Sequence, residues 1–237
     1  IAAGEGIRIH PFFDRRPEGA ELLVLVTGDK GLCGAFNSNA LRSAIDWFKA
    51  RKGRKTYCVV VGRKGRDMVH RLRGQDIEVL QEVVGVFPKI SFTHAELAGQ
   101  AIMDAYLDPK KAVSRVSALY NEFKSVAQQR LLTAELLPIP EPAVLPEAVT
   151  LPDYGFEPRR QELLAALLPR HVKAQLYRIL LESQAAELAA RMNAMDAASK
   201  NAKELREALN LEANRTRQSL ITKEIAELVG GAEALAT

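Results

Sequence analysis

Four groups of residues could do chemistry. Gly28 to Asn39 reads GDKGLCGAFNSN. A glycine-rich stretch that follows an apolar run invites a phosphate-cradling loop. The phosphate-loop pattern ends in Lys-Ser or Lys-Thr, and this stretch does not. The dinucleotide pattern needs glycines at positions one, three and six. Gly28, Gly31 and Gly34 fall at one, four and seven. The stretch reads as a structural turn whose glycines allow unusual dihedrals. Cys33 lies inside it, and a nucleophilic cysteine needs a histidine partner. His10, His70, His94 and His171 form no motif with it. No pair of histidines or carboxylates has metal-ligand spacing, so no cofactor or metal is expected.

The third group is basic: Arg51, Lys52, Arg54, Lys55, Arg63, Lys64, Arg66, Arg71 and Arg73. Such a cluster could contact nucleic-acid phosphates. It lacks interleaved aromatics and reads instead as a solvated or partner-facing surface. The fourth group is the densest: Asn214, Arg215, Thr216, Arg217, Gln218, Thr222, Lys223 and Glu224. Arg217, Thr222 and Glu224 cannot share one narrow helical stripe. Polar groups around the girth of a helix, just before an apolar tip, imply surroundings on several sides. The plain alternative is solvated surface.

The elements that carry these groups follow from pattern. From about Arg170 to Leu235 nothing stops a helix. No proline follows Pro169, and the first glycines are Gly230 and Gly231. Roughly 65 residues at 1.5 Å each make a helix of about 100 Å. A 4-3 seam runs along it: Leu181, Ala185, Leu188, Met192, Met195, Ser199, Ala202, Arg206, Leu209, Ala213, Thr216 and Leu220. That spacing keeps a stripe facing a partner helix. Beyond Leu220 the stripe shifts by one residue to Ile221, Ile225, Leu228, Ala232 and Leu235. Glu187 with Arg191, and Asp196 with Lys200, have the i,i+4 spacing of exposed ion pairs. No second long heptad run lies between Ile1 and Pro169, so the seam's partner is expected in another chain or upstream of Ile1.

Ahead of the helix, Leu22–Thr27 and Thr56–Val61 are continuous apolar runs, expected as strands buried on both faces. Ile77–Val84 reads as a third strand. Helices are expected from Asn37 or Ser38 (as caps) to about Lys52, around Arg66–Arg71, and from Ser91 or Thr93 to Leu107. Ala112–Phe123 and Val126–Leu137 read as an antiparallel pair with its turn at Asn121–Ser125. The order implies an α/β fold, a Rossmann-like and mostly parallel sheet with helices on both faces. An antiparallel edge hairpin completes it. The expected organisation is a linker over 1–21 and a foot domain over 22–138. A proline-rich linker over 139–158 and a helical region over 159–237 follow. The latter opens on a short amphipathic helix (Leu163, Leu164, Leu167, Leu168) that Pro169 either kinks or follows, starting the long helix at its first turn.

Composition fits a globular chain: 237 residues, 47% hydrophobic, 26% charged, net charge +4. Two cysteines make no disulfide framework. No apolar run reaches the roughly 18 residues of a membrane span.

Two motifs carry a family resemblance. TGDKGLCGAFNSN, Thr27 to Asn39, and NRTRQSLITKEIAELVGGAEAL, Asn214 to Leu235, are similar to the glycine loop and C-terminal signature of the gamma subunit of F-type ATP synthases. AARMNAMDAASKNA, Ala189 to Ala202, fits the same family. The resemblance implies a non-catalytic rotor shaft that couples ion flow to conformational change by turning. It implies a coiled coil with an N-terminal helix that this sequence lacks. The implied partners are the alpha and beta subunits of the catalytic ring, the epsilon subunit and the membrane c-ring. Neither nucleic acid nor direct membrane insertion is implied. By motif, Arg217, Gln218, Thr222 and Glu224 fall at polar contacts with the ring, and Ile225, Leu228, Val229 and Leu235 in its apolar bearing. The implied location is peripheral, on the cytoplasmic face of a bacterial inner membrane, with the matrix side of the mitochondrial inner membrane as the alternative. The rival is a nucleotide-dependent enzyme with a helical dimerisation arm, which would need the glycine loop to bind phosphate.

Overall fold

Apolar runs that alternate between two helical layers build the sheet. In the computed structural model, residues 10–16, 18–72, 76–140, 157 and 159–235 are described, without the side chains of 160 and 233–235. The elements are β1 (Ala20–Val26), α1 (Phe36–Lys49), β2 (Thr56–Val61), α2 (Arg63–Arg71), β3 (Ile77–Val83) and α3 (Phe92–Leu107). Then come β4 (Val113–Phe123), β5 (Gln129–Leu137) and α4 (Arg160–Leu235). Much of both expected linkers, including Pro142, Pro146, Pro152 and Pro158, lies outside the described residues.

The strand order is β3-β2-β1-β4-β5. β1 pairs in parallel with β2 and β4, β2 in parallel with β3, and β4 antiparallel with β5. The mostly parallel sheet with an antiparallel edge pair is therefore present. The hairpin turn lies at Lys124–Gln128, later than expected, because β4 continues to Phe123.

Successive residues of β1 and β2 serve opposite layers, as the pleat requires. Leu22, Val24, Val26, Tyr57, Val59 and Val61 face α3 and α4. Leu23, Leu25, Cys58 and Val60 face α1 and α2. Ser91 caps α3 in a capping box with His94, which satisfies amides the helix cannot.

Helix α4 differs from expectation in two ways. It begins at Arg160, joining the short helix to the long one, with Pro169 inside it and not at the long helix's first turn. Its early turns also belong to the foot domain. Leu164, Leu168, Val172, Leu176, Ile179 and Leu180 are buried in the main core. Gly99 lets α3 approach it, since a Cβ there would stand 3.1 Å from Lys173 Cγ. The seam is a different side of the same helix: Leu181, Leu188 and Met192 are exposed. The chain divides into two compact units, Ile1–Asn193 and Ala194–Thr237. In the second, the side chains described from Met195 to Ala232 are exposed.

Candidate functional site

In doubly wound sheets, ligands sit beyond the carboxyl ends of the strands. Here that edge is filled by the chain's own groups. Asp29, just after β1, is 6% exposed. Its Oδ1 accepts from the Arg63 amide at 2.9 Å and the Gly85 amide at 2.8 Å; its Oδ2 accepts from the Phe87 amide at 2.9 Å. A carboxylate thus occupies the place where a phosphate would meet the start of α2. The next two amides of α2 are also engaged. Lys64 N–H donates to Gly28 O at 3.2 Å, and Gly65 N–H to Thr27 Oγ1 at 2.8 Å. With Gly62 N–H donating to Val83 O at 2.9 Å, all four orphan donors of the helix start are satisfied from within.

Between β1 and β4, where the chain reverses its direction across the sheet, the filling continues. By sequence, Asn37 is one of two caps expected for α1. The cap position is instead Ala35, with no side-chain cap bond, and Asn37 lies within the first turn. Its Oδ1 accepts from Gly28 N–H at 2.8 Å, while its Nδ2 donates to Lys30 O at 2.9 Å and approaches Cys33 Sγ at 3.1 Å. The amide holds the loop closed. Of the three loop glycines, only Gly34 is left-handed, with φ 56°, while Leu32 adopts φ 62°. Gly28 is needed for close approach: a Cβ there would stand 3.3 Å from Asn37 Oδ1 and 3.5 Å from Glu187 Cγ.

Cys33 is buried with Phe36 and Ala186. Burial pushes its thiol pKa up, and the Glu187 charge adds to the effect. A raised pKa is the reverse of what activates a nucleophile. Glu187 does pair with Arg191, as its spacing predicts, but not on an exposed face. It is 2% exposed, because the glycine loop covers it. Asp196 and Lys200 are not among the ion pairs of the described residues.

The basic cluster is partly neutralised. Arg51 pairs with Glu21 at 2.9 Å and lies over the Trp47 ring at 3.9 Å; Lys55 pairs with Glu78 at 2.9 Å.

The motif residues of α4 lie apart from all this. Arg217, Gln218, Thr222, Glu224, Ile225, Leu228 and Val229 are exposed, and the Leu235 side chain lies outside the described residues. Arg217 Nη2 donates to Asn214 Oδ1 at 3.3 Å, and Thr222 Oγ1 donates to Gln218 O at 2.9 Å. These bonds stay within the helix and gather no pocket. Reading by motif gave Asp29 no role and took Asn37 for a cap. The available signal was an acid directly after the first glycine of a loop that ends a buried strand.

A family model described as ATP synthase matches residues 1–235. The ATP synthase gamma chain of Elusimicrobium minutum is 45% identical over 216 residues, spanning 90% of this chain and 71% of that one. The ATP synthase gamma chain of Anaeromyxobacter sp. (strain K) is 40% identical over 236 residues, spanning 99% and 79%. A chain in the OSCP/F1/c-ring structure of the Euglena gracilis mitochondrial ATP synthase aligns with a TM-score of 0.65 at 19% identity. The alignment covers 98% of this chain and 81% of that one, and it shows the same fold. Fold and kinship together define the class: a subunit of an ATP synthase. Within that class, the chain belongs to the ATP synthase gamma-chain family.

Proposed function

We propose that this chain turns as the shaft of a bacterial F-type ATP synthase and catalyses nothing itself. Ion flow through the membrane c-ring turns the foot domain, which also meets the epsilon subunit. The C-terminal part of α4 presents unlike sides to the alpha and beta subunits of the catalytic ring. A turning ligand shifts the population of ring conformations by differential contact alone. Arg217, Gln218, Thr222 and Glu224 make the polar contacts, and Ile225, Leu228, Val229 and Leu235 the apolar ones. The seam takes a second long helix, by resemblance the gamma chain's N-terminal one. The complex sits with this subunit on the cytoplasmic face of the inner membrane.

The observation that carries the reading is the family match across residues 1–235. The self-filled crevice supports it against the nucleotide-binding rival, because the amides a phosphate would use already hold Asp29, Gly28 and Thr27. The test is Arg217→Ala with Gln218→Ala in the purified complex, with subunit stoichiometry checked. A charge-assisted bond in a protein-lined bore contributes about 1.5–3 kcal/mol. Hydrolysis and ion-driven synthesis should fall while assembly stays intact. Wild-type rates in a fully assembled double variant would return these two residues to solvated surface.

A further inference from the structure

A subunit that works by turning has a mechanical requirement: its foot and its long helix must not slip about the helix axis. Packing of aliphatic side chains resists separation but is a weak guide to rotation, because it is non-directional. Directional bonds on opposite flanks would do better. The segment of α4 from Gln184 to Asn193 has them: two separate loops supply the acceptors, and a third packs against the helix between them.

Gln184 Nε2 donates to Pro88 O, in the loop between β3 and α3. Asn193 Nδ2 donates to Val126 O at 2.7 Å, at the tip of the β4–β5 hairpin. The two donors are nine residues apart. At 3.6 residues per turn that is about two and a half turns, so they leave the helix on opposite sides. Between these flanks, Ala186 and Ala190 pack against Cys33 and Phe36 of the glycine loop and the start of α1. Glu187 lies buried beside Gly28. The small alanines bring the helix close to its loops. The seam residues Leu181, Leu188 and Met192 are exposed, and by helical period they lie opposite that wedge.

We propose that Gln184 and Asn193 form a rotational bracket. Turning α4 about its axis in one sense stretches the bond to Pro88, and turning it in the other stretches the bond to Val126. The glycine-loop wedge is the fulcrum between them. The bracket rests on the rotor reading for its purpose, though not for its geometry. It also gives the glycine loop a task that phosphate binding does not: it seats the helix.

The test uses isosteric variants that remove the donors, Gln184→Glu and Asn193→Asp, in purified ATP synthase with a probe on the foot domain. Each single variant frees rotation in one sense only. The foot's mean resting angle, measured against the ring in single molecules, should therefore shift in opposite directions in the two. The double variant should widen the distribution. Returning position 184 to glutamine in the double variant should recover the Asn193→Asp behaviour. Shifts of the same sign, or an unchanged width in the double variant, would overturn the bracket. A wild-type complex that does not rotate would refute the rotor reading instead. The bracket would then be read on the full chain, with spin labels at Lys124→Cys and Leu188→Cys. A broader distance distribution in the double variant supports it, and an unchanged one overturns it.

Discussion

Removing the Asp29 carboxylate is the sharpest perturbation of the fold. Its two oxygens take three backbone amides, from Arg63, Gly85 and Phe87, at 2.8–2.9 Å. They join the loops that follow β1, β2 and β3 at one point. Hydrogen bonds to a charged group contribute about 1.5–3 kcal/mol each, and a buried amide left unmet costs about 1–3 kcal/mol. Water will reach some of the three when the side chain is cut back. Asp29→Ala should then lose about 3–6 kcal/mol, a large part of a typical domain's 5–15 kcal/mol. Asp29→Asn keeps one oxygen for Arg63 and Gly85 but turns an NH2 toward the Phe87 amide, donor against donor. It should lose about 2–3 kcal/mol, with the Phe87 amide showing the largest loss of exchange protection. Denaturant unfolding of the full chain and amide exchange in the assembled complex would check both. Equal losses in the two variants, or losses under about 0.5 kcal/mol in both, would refute the reasoning.

Gly62→Ala should cost about 3 kcal/mol or more, because its φ is 96° and a Cβ would stand 2.0 Å from Thr27 O. Gly31→Ala, with open space around it, should stay within about 0.5 kcal/mol of wild type by the same unfolding measurement. Cys33 should alkylate slowly in the native chain near pH 8 and faster as pH climbs, because its raised pKa withholds the thiolate. Labelling at the rate of a free thiol would show that the loop is open. Equilibrium dialysis of ATP or ADP against the full chain should detect no binding at the glycine loop, and saturable binding abolished by a bulky residue at Gly28 would revive the enzyme rival.

The strands were legible because they are buried on both faces and so read as unbroken apolar runs. Thr56–Val61 is fully buried and matches its predicted bounds. The seam was legible because a 4-3 spacing of Leu and Met survives the alanines between them. The packed side of α4 was not. Two apolar stripes on one helix blur each other's period, so Leu176, Ile179 and Leu180 were not distinguished from a seam that starts one residue later. The interior of the glycine loop was hidden for another reason. Asp29 bonds across separations of 34 to 58 residues, and Glu187 lies against Gly28 from the far end of the chain; no local pattern encodes such partners. Glu187 and Arg191 have the spacing of a surface pair, and only the loop folded over Glu187 buries that partner while Arg191 stays partly exposed.

The second unit poses the opposite question: what a helix gains from so many exposed apolar side chains. From Leu205 to Val229, eight large ones are 49–73% exposed: Leu205, Leu209, Leu211, Leu220, Ile221, Ile225, Leu228 and Val229. They do not fall on one stripe, since Leu220 and Ile221, like Leu228 and Val229, are sequence neighbours about 100° apart around the axis. A single partner helix would cover only part of them. If surroundings on several sides buried about 80 Å² of each, the transfer term would reach roughly 16 kcal/mol at 25 cal/mol/Å². That exceeds most estimates of about 4–15 kcal/mol for the freedom lost on association. The surplus is about 1–12 kcal/mol, and near its lower end the polar contacts proposed at Arg217, Gln218, Thr222 and Glu224 decide which orientation is preferred. An apolar surface holds the helix in place at almost any angle, whereas directional groups distinguish one angle from the next. This division supports the proposal that the polar belt sets rotational preference while the apolar tip serves as bearing.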